Sequence, residues 1–426
     1  MIEREYVTNE VPKDLSRVGH LVETPPQLNR RGFLRCLATG AMTTVFFALD
    51  ACAPSAAPVP APESPAAPKS TAAPAASPVA PATSQLAPTP SPATAPPQST
   101  RSAGPAVATR FLQGSDSLAW APVQIAERAG YFKDEGLELD VTYQGQGGPT
   151  ANVAAVLNRN VAAGGLVGPN LIEVREQGRP IRIIGTLTQQ YIANFVLRKD
   201  VAEKLGVTAS DPVQKVDALK GLKIGTISLG GGVFLALKYA VAQRGIDLDR
   251  DATVTALSPW SSVIAALKAG HIEAAGMTVP FDSVAVLDGT AIELLSTSRR
   301  ELPGLDNLIF TCIYANEQYR SDQAQADLIT RFLRAVTRAQ HLLHTRTAEA
   351  ERTLRSAFES LDERVLQRAL RDNLSAFTKT PVTTEEFFAG TKRFQEAASQ
   401  KPLKVTFADL IDNGPAERAV RDLRLT

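Results

Sequence analysis

Seven short segments rich in hydroxyl, amide and glycine residues each follow an apolar stretch of the kind that forms a buried strand. They are residues 114–117, 146–150, 168–170, 188–190, 228–232, 258–261 and 278–280. None of them contains lysine or arginine, and Asp116 is their only acidic residue. Hydroxyls, backbone amides and helix N-termini bind small molecules by hydrogen bonds, and they bind anions without a cationic side chain. With no general base besides Asp116, the segments predict binding rather than acid–base catalysis.

The candidate ligand-binding residues come from these segments and from the aromatic residues beside them. They are Ser115, Asp116, Trp120, Gln146, Gly147, Pro169, Asn170, Thr188, Gln189, Tyr191, Ser228, Gly231, Gly232, Trp260 and Thr278. Several have a second interpretation. Asp116 is either the partner of a ligand ammonium or, as we favour, the N-cap of the following helix. The glycines at 230–232 either admit an anion or only form a turn. The two tryptophans either stack on a ligand or fill the core, so the ligand is anionic, zwitterionic or neutral and aromatic.

The elements that must position these residues alternate between short strands and helices from residue 107 onward. This alternation predicts an α/β fold with largely parallel sheets. Residues 154–169 and 265–280 repeat one order of helix, tight turn, apolar strand and proline, about 110 residues apart. The repetition predicts two similar α/β lobes. Their ligand site is expected at the carboxyl ends of the strands, where ligands bind in open parallel sheets.

A resemblance to a known family is carried by residues 120–139, WAPVQIAERAGYFKDEGLEL. This stretch resembles the signature of periplasmic substrate-binding proteins of the nitrate/sulfonate/taurine transporter type, whose relatives bind thiamine-pyrimidine precursors. Residues 219–225, 230–232, 265–270 and 331–339 are similar to later parts of the same family. The resemblance implies a type II periplasmic-binding-protein-like fold, in which two α/β lobes joined by two crossover strands close on a ligand in their cleft.

The predicted domain boundaries follow from that resemblance. Residues 106–197 form the first part of lobe 1, residues 198–297 form lobe 2, and residues 298–426 return to lobe 1 and add C-terminal helices. The crossover strands are expected at Ile192–Leu197 and Leu308–Tyr314. Cys312, inside the second of these apolar runs, is predicted to be a core cysteine.

Composition excludes several classes of protein. The 426 residues carry 45 basic and 44 acidic side chains, a net charge of +1, so there is no field to hold nucleic acid. Three cysteines and four histidines show no clustered metal-ligand spacing. We therefore expect no nucleic-acid partner, no metal and no cofactor.

The first 51 residues have the order of an export signal. Asn29–Arg35 (NRRGFLR) resembles a twin-arginine motif, and the fourteen uncharged residues from Cys36 to Leu49 are too few for a membrane-spanning helix. Leu49-Asp50-Ala51-Cys52 resembles a lipobox, which implies a signal peptide over residues 1–51 and a lipid anchor on Cys52.

Residues 52–105 are predicted to be a disordered tether. Fifteen of the 29 prolines lie between Pro54 and Pro105, among alanine, serine and threonine. Such a composition cannot bury enough apolar surface to fold and favours extended polyproline structure.

Together these features predict an exported, lipid-anchored, monomeric solute-binding protein that is not an enzyme. Its partners would be a small-molecule ligand, the membrane lipid around Cys52 and an ABC-type permease. One alternative is a pyrimidine-synthase-like enzyme of the same superfamily, which would use a cleft histidine; only His271 lies in the second lobe. The other alternative is a ligand-sensing surface receptor that acts on a different partner.

Overall fold

The computed structural model describes residues 106–207 and 215–424, without the side chain of Gln146. The twin-arginine motif, the lipidation of Cys52 and the Ala/Pro-rich tether lie outside the described residues and stay predictions. The described part contains two α/β lobes, each built on a five-stranded sheet. The strands are β1 (Val107–Gln113), β2 (Leu137–Tyr143), β3 (Ala163–Val167), β4 (Ile181–Thr186), β5 (Ala193–Arg198), β6 (Lys223–Thr226), β7 (Thr253–Ala256), β8 (Ala274–Thr278), β9 (Ala291–Ser296) and β10 (Thr311–Asn316).

The two sheets have the same strand arrangement. The first runs β2-β1-β3-β10-β4 and the second runs β7-β6-β8-β5-β9. In each sheet the fourth strand, β10 or β5, is antiparallel to both neighbours, and the other strand pairs are parallel. That antiparallel strand is the one that arrives from the other lobe, so the chain crosses between the lobes twice. The shared order confirms the predicted pair of similar lobes.

Helices join the parallel strands and cover the sheets, as such connections require. They are α1 (Ala121–Arg128), α2 (Tyr131–Asp134), α3 (Gly148–Leu157), α4 (Gly168–Glu176), α5 (Lys199–Leu205), α6 (Gly232–Ala242), α7 (Leu248–Asp251), α8 (Trp260–Ala269), α9 (Phe281–Leu287), α10 (Gln323–Thr345), α11 (Thr347–Arg355), α12 (Glu363–Asn373), α13 (Glu385–Ser399), α14 (Phe407–Leu410) and α15 (Gly414–Leu423). A short 3₁₀ helix, Leu118–Trp120, leads directly into α1.

The boundary between the lobes differs from the predicted one. Both predicted crossover segments form strands, β5 and β10, but β5 pairs with β8 and β9 of the second sheet. The second lobe therefore begins at Ala193 rather than after residue 197. An apolar run predicts a strand, but it carries no information about which sheet that strand joins.

The long helix α10 ties the C-terminal region to the first lobe. Its Phe332 packs against Phe111 and Phe132, with ring centroids 5.2 and 4.9 Å apart. Its Arg334 forms an ion pair of 2.7 Å with Glu135, a carboxylate whose side chain is only 1% exposed. Aromatic packing and a buried ion pair together hold this helix against α2 and the sheet.

The structure also bears on Cys312 and on membrane-spanning helices. Cys312 is fully buried, which confirms the predicted core cysteine. Within residues 106–207 and 215–424, no helix has both the length and the apolar character needed to cross a membrane.

Candidate functional site

A cavity of about 50 Å³ lies between the two lobes, and we call it the interlobe cavity. The carboxyl ends of β1 and β3 from the first sheet, and of β6 and β8 from the second, meet there. Ligands of open α/β sheets bind at this end of the strands. One water needs roughly 10–15 Å³ of such space, so the cavity has room for a few waters or for one small molecule.

Helix N-termini surround the interlobe cavity. The first turns of α3, α4, α6 and α8 all contribute lining residues. The first N–H groups of a helix have no partner inside the helix and carry part of its positive dipole end. Among the described lining residues none has an ionisable side chain. Any charge on a ligand would therefore be met by backbone amides and helix dipoles.

Four buried polar atoms that lack a hydrogen-bond partner among the described residues belong to residues lining this cavity. They are Oδ1 of Asn170, Oγ1 of Thr226, Oγ of Ser228 and Nε1 of Trp260. An unsatisfied buried polar group costs about 1–3 kcal/mol, so few are expected by chance at one place. The indole N–H only donates, whereas the amide Oδ1 only accepts. A ligand that satisfies both must offer an acceptor and a donor.

Aromatic side chains form the apolar walls of the interlobe cavity. Trp120 and Phe310 come from the first lobe's side and Trp260 from the second lobe. Trp260 is 1% exposed and stacks on Phe281, with ring centroids 5.7 Å apart. Phe310 packs in turn on Tyr191 at 4.2 Å. These contacts hold the walls rigid and leave flat aromatic surface for a planar ligand.

The two lobes touch each other around the cavity. The backbone N–H of Leu118 donates to the carbonyl of Val279 across the cleft (3.0 Å), and Nδ2 of Asn170 donates to the carbonyl of Gly230 (2.9 Å). At Gly232 a Cβ atom would lie 2.8 Å from Cγ1 of Val167 in the other lobe. The structure thus shows the lobes closed on each other around the cavity, with no room for a side chain at Gly232.

The structure places eight of the predicted ligand-binding residues in the lining of one cavity. They are Ser115, Trp120, Asn170, Ser228, Gly231, Gly232, Trp260 and Thr278. They come from five separate segments of the chain, counting Trp120 with the segment beside it, and from both lobes. Strand-end placement predicts this convergence.

The other predicted residues lie elsewhere. Thr188 is fully buried behind the lining residue Thr311, with the two hydroxyl oxygens 2.7 Å apart. Gln189 faces away from the interlobe cavity and donates to the carbonyl of Ser375. Tyr191 is a fully buried core residue that supports Phe310. Gly147 and Pro169 lie outside the lining, and the side chain of Gln146 is outside the described residues.

Asp116 also lies outside the lining, and the favoured interpretation of it as a helix N-cap is wrong. The helix that follows is capped by Ser117, without a side-chain hydrogen bond. The loop is held instead by Gln124, whose Nε2 donates to the backbone carbonyl of Asp116 (3.2 Å). Burial raises the pKa of the Asp116 carboxyl, since its charged form is partly desolvated.

Sequence reasoning missed three lining residues that matter chemically: Thr226, Phe310 and Thr311. Thr226 is the last residue of β6, two residues before the predicted segment that starts at Ser228, so a slightly wider window at that strand end would have included it. Phe310 and Thr311 belong to the returning crossover. The strand-end rule does not select them, because it applies to the carboxyl ends of strands. The antiparallel strand β10 has its amino end at the cavity.

Comparison with known proteins gives a match over more than half of the chain. A family model described as "NMT1/THI5 like" matches residues 118–350. The chain is 20% identical to a putative binding protein, YtlA, of Bacillus subtilis, over 74% of this chain and 90% of that protein. It is 27% identical to the riboflavin-binding protein RibY of Chloroflexus aurantiacus, over 32% of this chain and 36% of that protein.

Solved structures share the fold at low sequence identity. A protein of Bordetella bronchiseptica is 19% identical with a TM-score of 0.63, covering 75% of this chain and 98% of its own. The nitrate-binding protein NrtA of Synechocystis is 13% identical with a TM-score of 0.59, covering 75% and 90%. The alkanesulfonate-binding protein SsuA of Xanthomonas axonopodis, bound to MOPS, is 17% identical with a TM-score of 0.53, covering 74% and 99%. The two-lobed fold is thus the one that periplasmic binding proteins have.

Proposed function

The chain belongs to the NMT1/THI5-like family, and on that premise we propose that it is an extracytoplasmic solute-binding protein that captures a small molecule for an ABC importer. The observation that carries the proposal is the interlobe cavity, where unpartnered polar atoms from both lobes converge. A site divided between two lobes favours a protein that closes on its ligand, because neither lobe alone can satisfy all of these atoms.

The ligand is a compact polar molecule with at least one oxygen acceptor and one neutral donor. The acceptor pairs with the Trp260 N–H, and the donor pairs with Oδ1 of Asn170. An ammonium donor is disfavoured, since none of the described lining residues is a carboxylate that could offset the burial of its charge. A small hydroxylated sulfonate meets these conditions, with its oxyanion on the helix N-termini. Nitrate, which NrtA binds, offers an acceptor for the Trp260 N–H but no donor for Oδ1 of Asn170.

A pyrimidine-like ring is the second candidate ligand. Trp120 and Phe310 offer flat aromatic faces in the lining, and ring N–H and C=O groups supply both a donor and an acceptor. Binding without turnover is supported by the lack of an ionisable group among the described lining residues, since general acid–base chemistry needs one.

The export and anchoring part of the proposal rests on sequence alone. The twin-arginine motif at Arg30-Arg31 and the lipobox at Cys52 support an exported protein held at the outer face of a membrane by lipid. The proline-rich stretch that follows would let the binding lobes reach a permease. We propose that the protein acts as a monomer.

Thermal unfolding of the full-length chain tests the ligand class. The panel is isethionate, ethanesulfonate, nitrate, taurine, uracil and riboflavin, and we expect isethionate or uracil to raise the melting temperature most, because a ligand that binds the native state stabilises it. Isethionate and ethanesulfonate differ by one hydroxyl, so the difference between their melting-temperature shifts measures the effect of the hydroxyl donor. A panel without any stabilising member, or chemical turnover of the binder, would contradict the proposal.

Trp260→Phe is expected to weaken binding of the best panel member roughly tenfold or more, because a buried donor to the ligand is lost while the ring remains. Phenylalanine is preferred to alanine, since removing a buried tryptophan ring costs about 3–5 kcal/mol of stability. Isothermal titration calorimetry measures the affinity. The matched control is Tyr239→Phe, which removes an aromatic donor that bonds Pro303 outside the cavity. Equal affinity in both variants would remove the indole N–H from the site.

A further inference from the structure

A second and larger cavity, of about 670 Å³, lies between the second lobe and the C-terminal helix α12. On one side it is lined by α9, β5 and the end of β9, and on the other by α12. None of the described residues lines both this space and the interlobe cavity. We call it the α9–α12 cavity. Nothing in the proposed solute-binding function uses it.

The lining of the α9–α12 cavity includes three residues with a buried oxygen that lacks a hydrogen-bond partner among the described residues. They are Oδ1 of Asp282, Oγ of Ser298 and Oδ1 of Asn373. Asp282 is 2% exposed and Asn373 is 4% exposed. All three oxygens accept hydrogen bonds, and buried acceptors without partners are expensive. The residues come from α9, from the loop after β9 and from α12, so the cluster spans both walls.

Asp282 is held in place by a hydrogen bond and not by an ion pair with any described residue. Its Oδ2 accepts a hydrogen bond of 2.7 Å from Nδ2 of Asn194, whose own Oδ1 accepts from the Ser296 hydroxyl (3.0 Å). Asp282 takes part in no ion pair within residues 106–207 and 215–424. Desolvation, with a smaller contribution from Glu293, raises the pKa of Asp282 to about 6. The charged form of this carboxylate is therefore costly in stability.

Positively charged side chains line the outer part of the same cavity. Arg364 and Arg368 on α12 are exposed and line it. Arg368 pairs with Asp372, and Arg299 pairs with Glu293 and Glu301, whereas Arg364 takes part in none of the ion pairs of the described residues. The lining thus combines a buried carboxylate with an exposed guanidinium that is open to an anion.

From this arrangement we infer that the α9–α12 cavity binds a small zwitterion with a primary ammonium and a carboxylate. The ammonium has three N–H donors for the three unpartnered oxygens, and its charge offsets that of Asp282. The carboxylate lies toward Arg364, where a bidentate pair can form. Because the cavity is walled by the second lobe on one side and by α12 on the other, an occupant bridges them.

The test titrates the full-length chain with glycine, β-alanine and γ-aminobutyrate, which differ in the separation of their charges. We expect saturable heat for at least one of them. Propylamine and propionate, which each lack one charged end of the series, are expected to bind roughly tenfold or more weakly than the best zwitterion, since each loses a charge-assisted contact. The inference would be overturned if propionate bound as tightly as the best zwitterion. It would also be overturned if potassium chloride displaced the zwitterion at matched ionic strength.

Variants separate this site from the interlobe cavity. Asp282→Asn keeps the shape but removes the charge, and we expect roughly tenfold or greater loss of zwitterion affinity. Ser298→Ala removes one acceptor and is expected to weaken binding several-fold. This variant still tests the inference if Asp282→Asn folds poorly. Asp288→Asn, at the other end of α9 and outside the lining, is the matched control and should bind like wild type.

The inference does not rest on the proposed solute-binding function. Trp260→Phe should leave zwitterion affinity unchanged, whereas Asp282→Asn should leave binding of the interlobe ligand unchanged. If Asp282→Asn binds the zwitterion as tightly as wild type, or if Trp260→Phe abolishes zwitterion binding, the α9–α12 cavity is not the site. No saturable heat from any of the three zwitterions also refutes the inference.

Discussion

Replacing Gly232 with valine is expected to weaken binding in the interlobe cavity roughly hundredfold, which corresponds to about 2.7 kcal/mol of binding free energy. Gly232 is the first residue of α6 in the second lobe, and a Cβ there would lie 2.8 Å from Cγ1 of Val167 and 3.2 Å from Cε2 of Phe310. Both of those atoms belong to residues on the first lobe's side of the cavity. A valine side chain would hold the lobes apart, so a ligand could satisfy only one lobe's polar atoms at a time.

Small-angle X-ray scattering with the ligand present distinguishes this effect from simple damage to the cavity. The Gly232→Val variant should keep an open, larger radius of gyration at saturating ligand, whereas wild type should become more compact. Gly225→Ala is the matched control, because its Cβ would meet the Ile272 side chain within the second lobe and neither residue lines the interlobe cavity. If Gly232→Val binds and compacts like wild type, the lobes do not need to meet as closely as the structure shows.

Arg334→Met is expected to lower the free energy of unfolding by about 3–5 kcal/mol, since it leaves a buried carboxylate without its cation. Nε of Arg334 donates to Oε2 of Glu135 at 2.8 Å, and the Glu135 side chain is 1% exposed. The pair joins α10 to the chain between α2 and β2. Urea denaturation followed by circular dichroism measures the change.

The double variant Arg334→Met with Glu135→Leu should recover most of that loss, because a buried ion pair replaced by apolar groups is often close to neutral. Arg421→Met is the matched control. Arg421 pairs with Glu417 at 3.9 Å, both side chains are more than half exposed, and such pairs contribute about 0–1 kcal/mol. If Arg334→Met lowered the free energy of unfolding no more than Arg421→Met does, the ion pair with Arg334 would not be what stabilises the Glu135 charge.

Much of the fold follows from the sequence because its signals are local. Short apolar runs, the helices between them and the repeat of residues 154–169 in 265–280 predict the elements and the two lobes. The strand-end rule then predicts that Ser228, Gly232 and Trp260 lie at one edge of the sheet, where they line the interlobe cavity, since the helix or turn after a parallel strand must begin at that edge. These predictions need no knowledge of which strands pair.

The parts that depend on long-range pairing were not predictable. Thr188 and Gln189 follow β4, an edge strand separated from β3 by β10, so they end up beside the cavity wall or away from it. Phe310 and Thr311 reach the cavity only because the returning strand is inserted antiparallel. Asp282 carries no sequence signal at all: its environment is set by Asn194, 88 residues earlier, and by the packing of α12.

The return of the chain to the first sheet as β10 sets an order in which the protein can assemble as it is synthesised. All five strands of the second sheet lie within residues 193–296, so that sheet can form as soon as Ser296 has left the ribosome. The first sheet must wait for Thr311–Asn316, the strand that pairs with β4 in the described part of the chain. The N-terminal lobe is therefore completed last, and a chain truncated before β10 would present β4 as an unpaired edge open to aggregation.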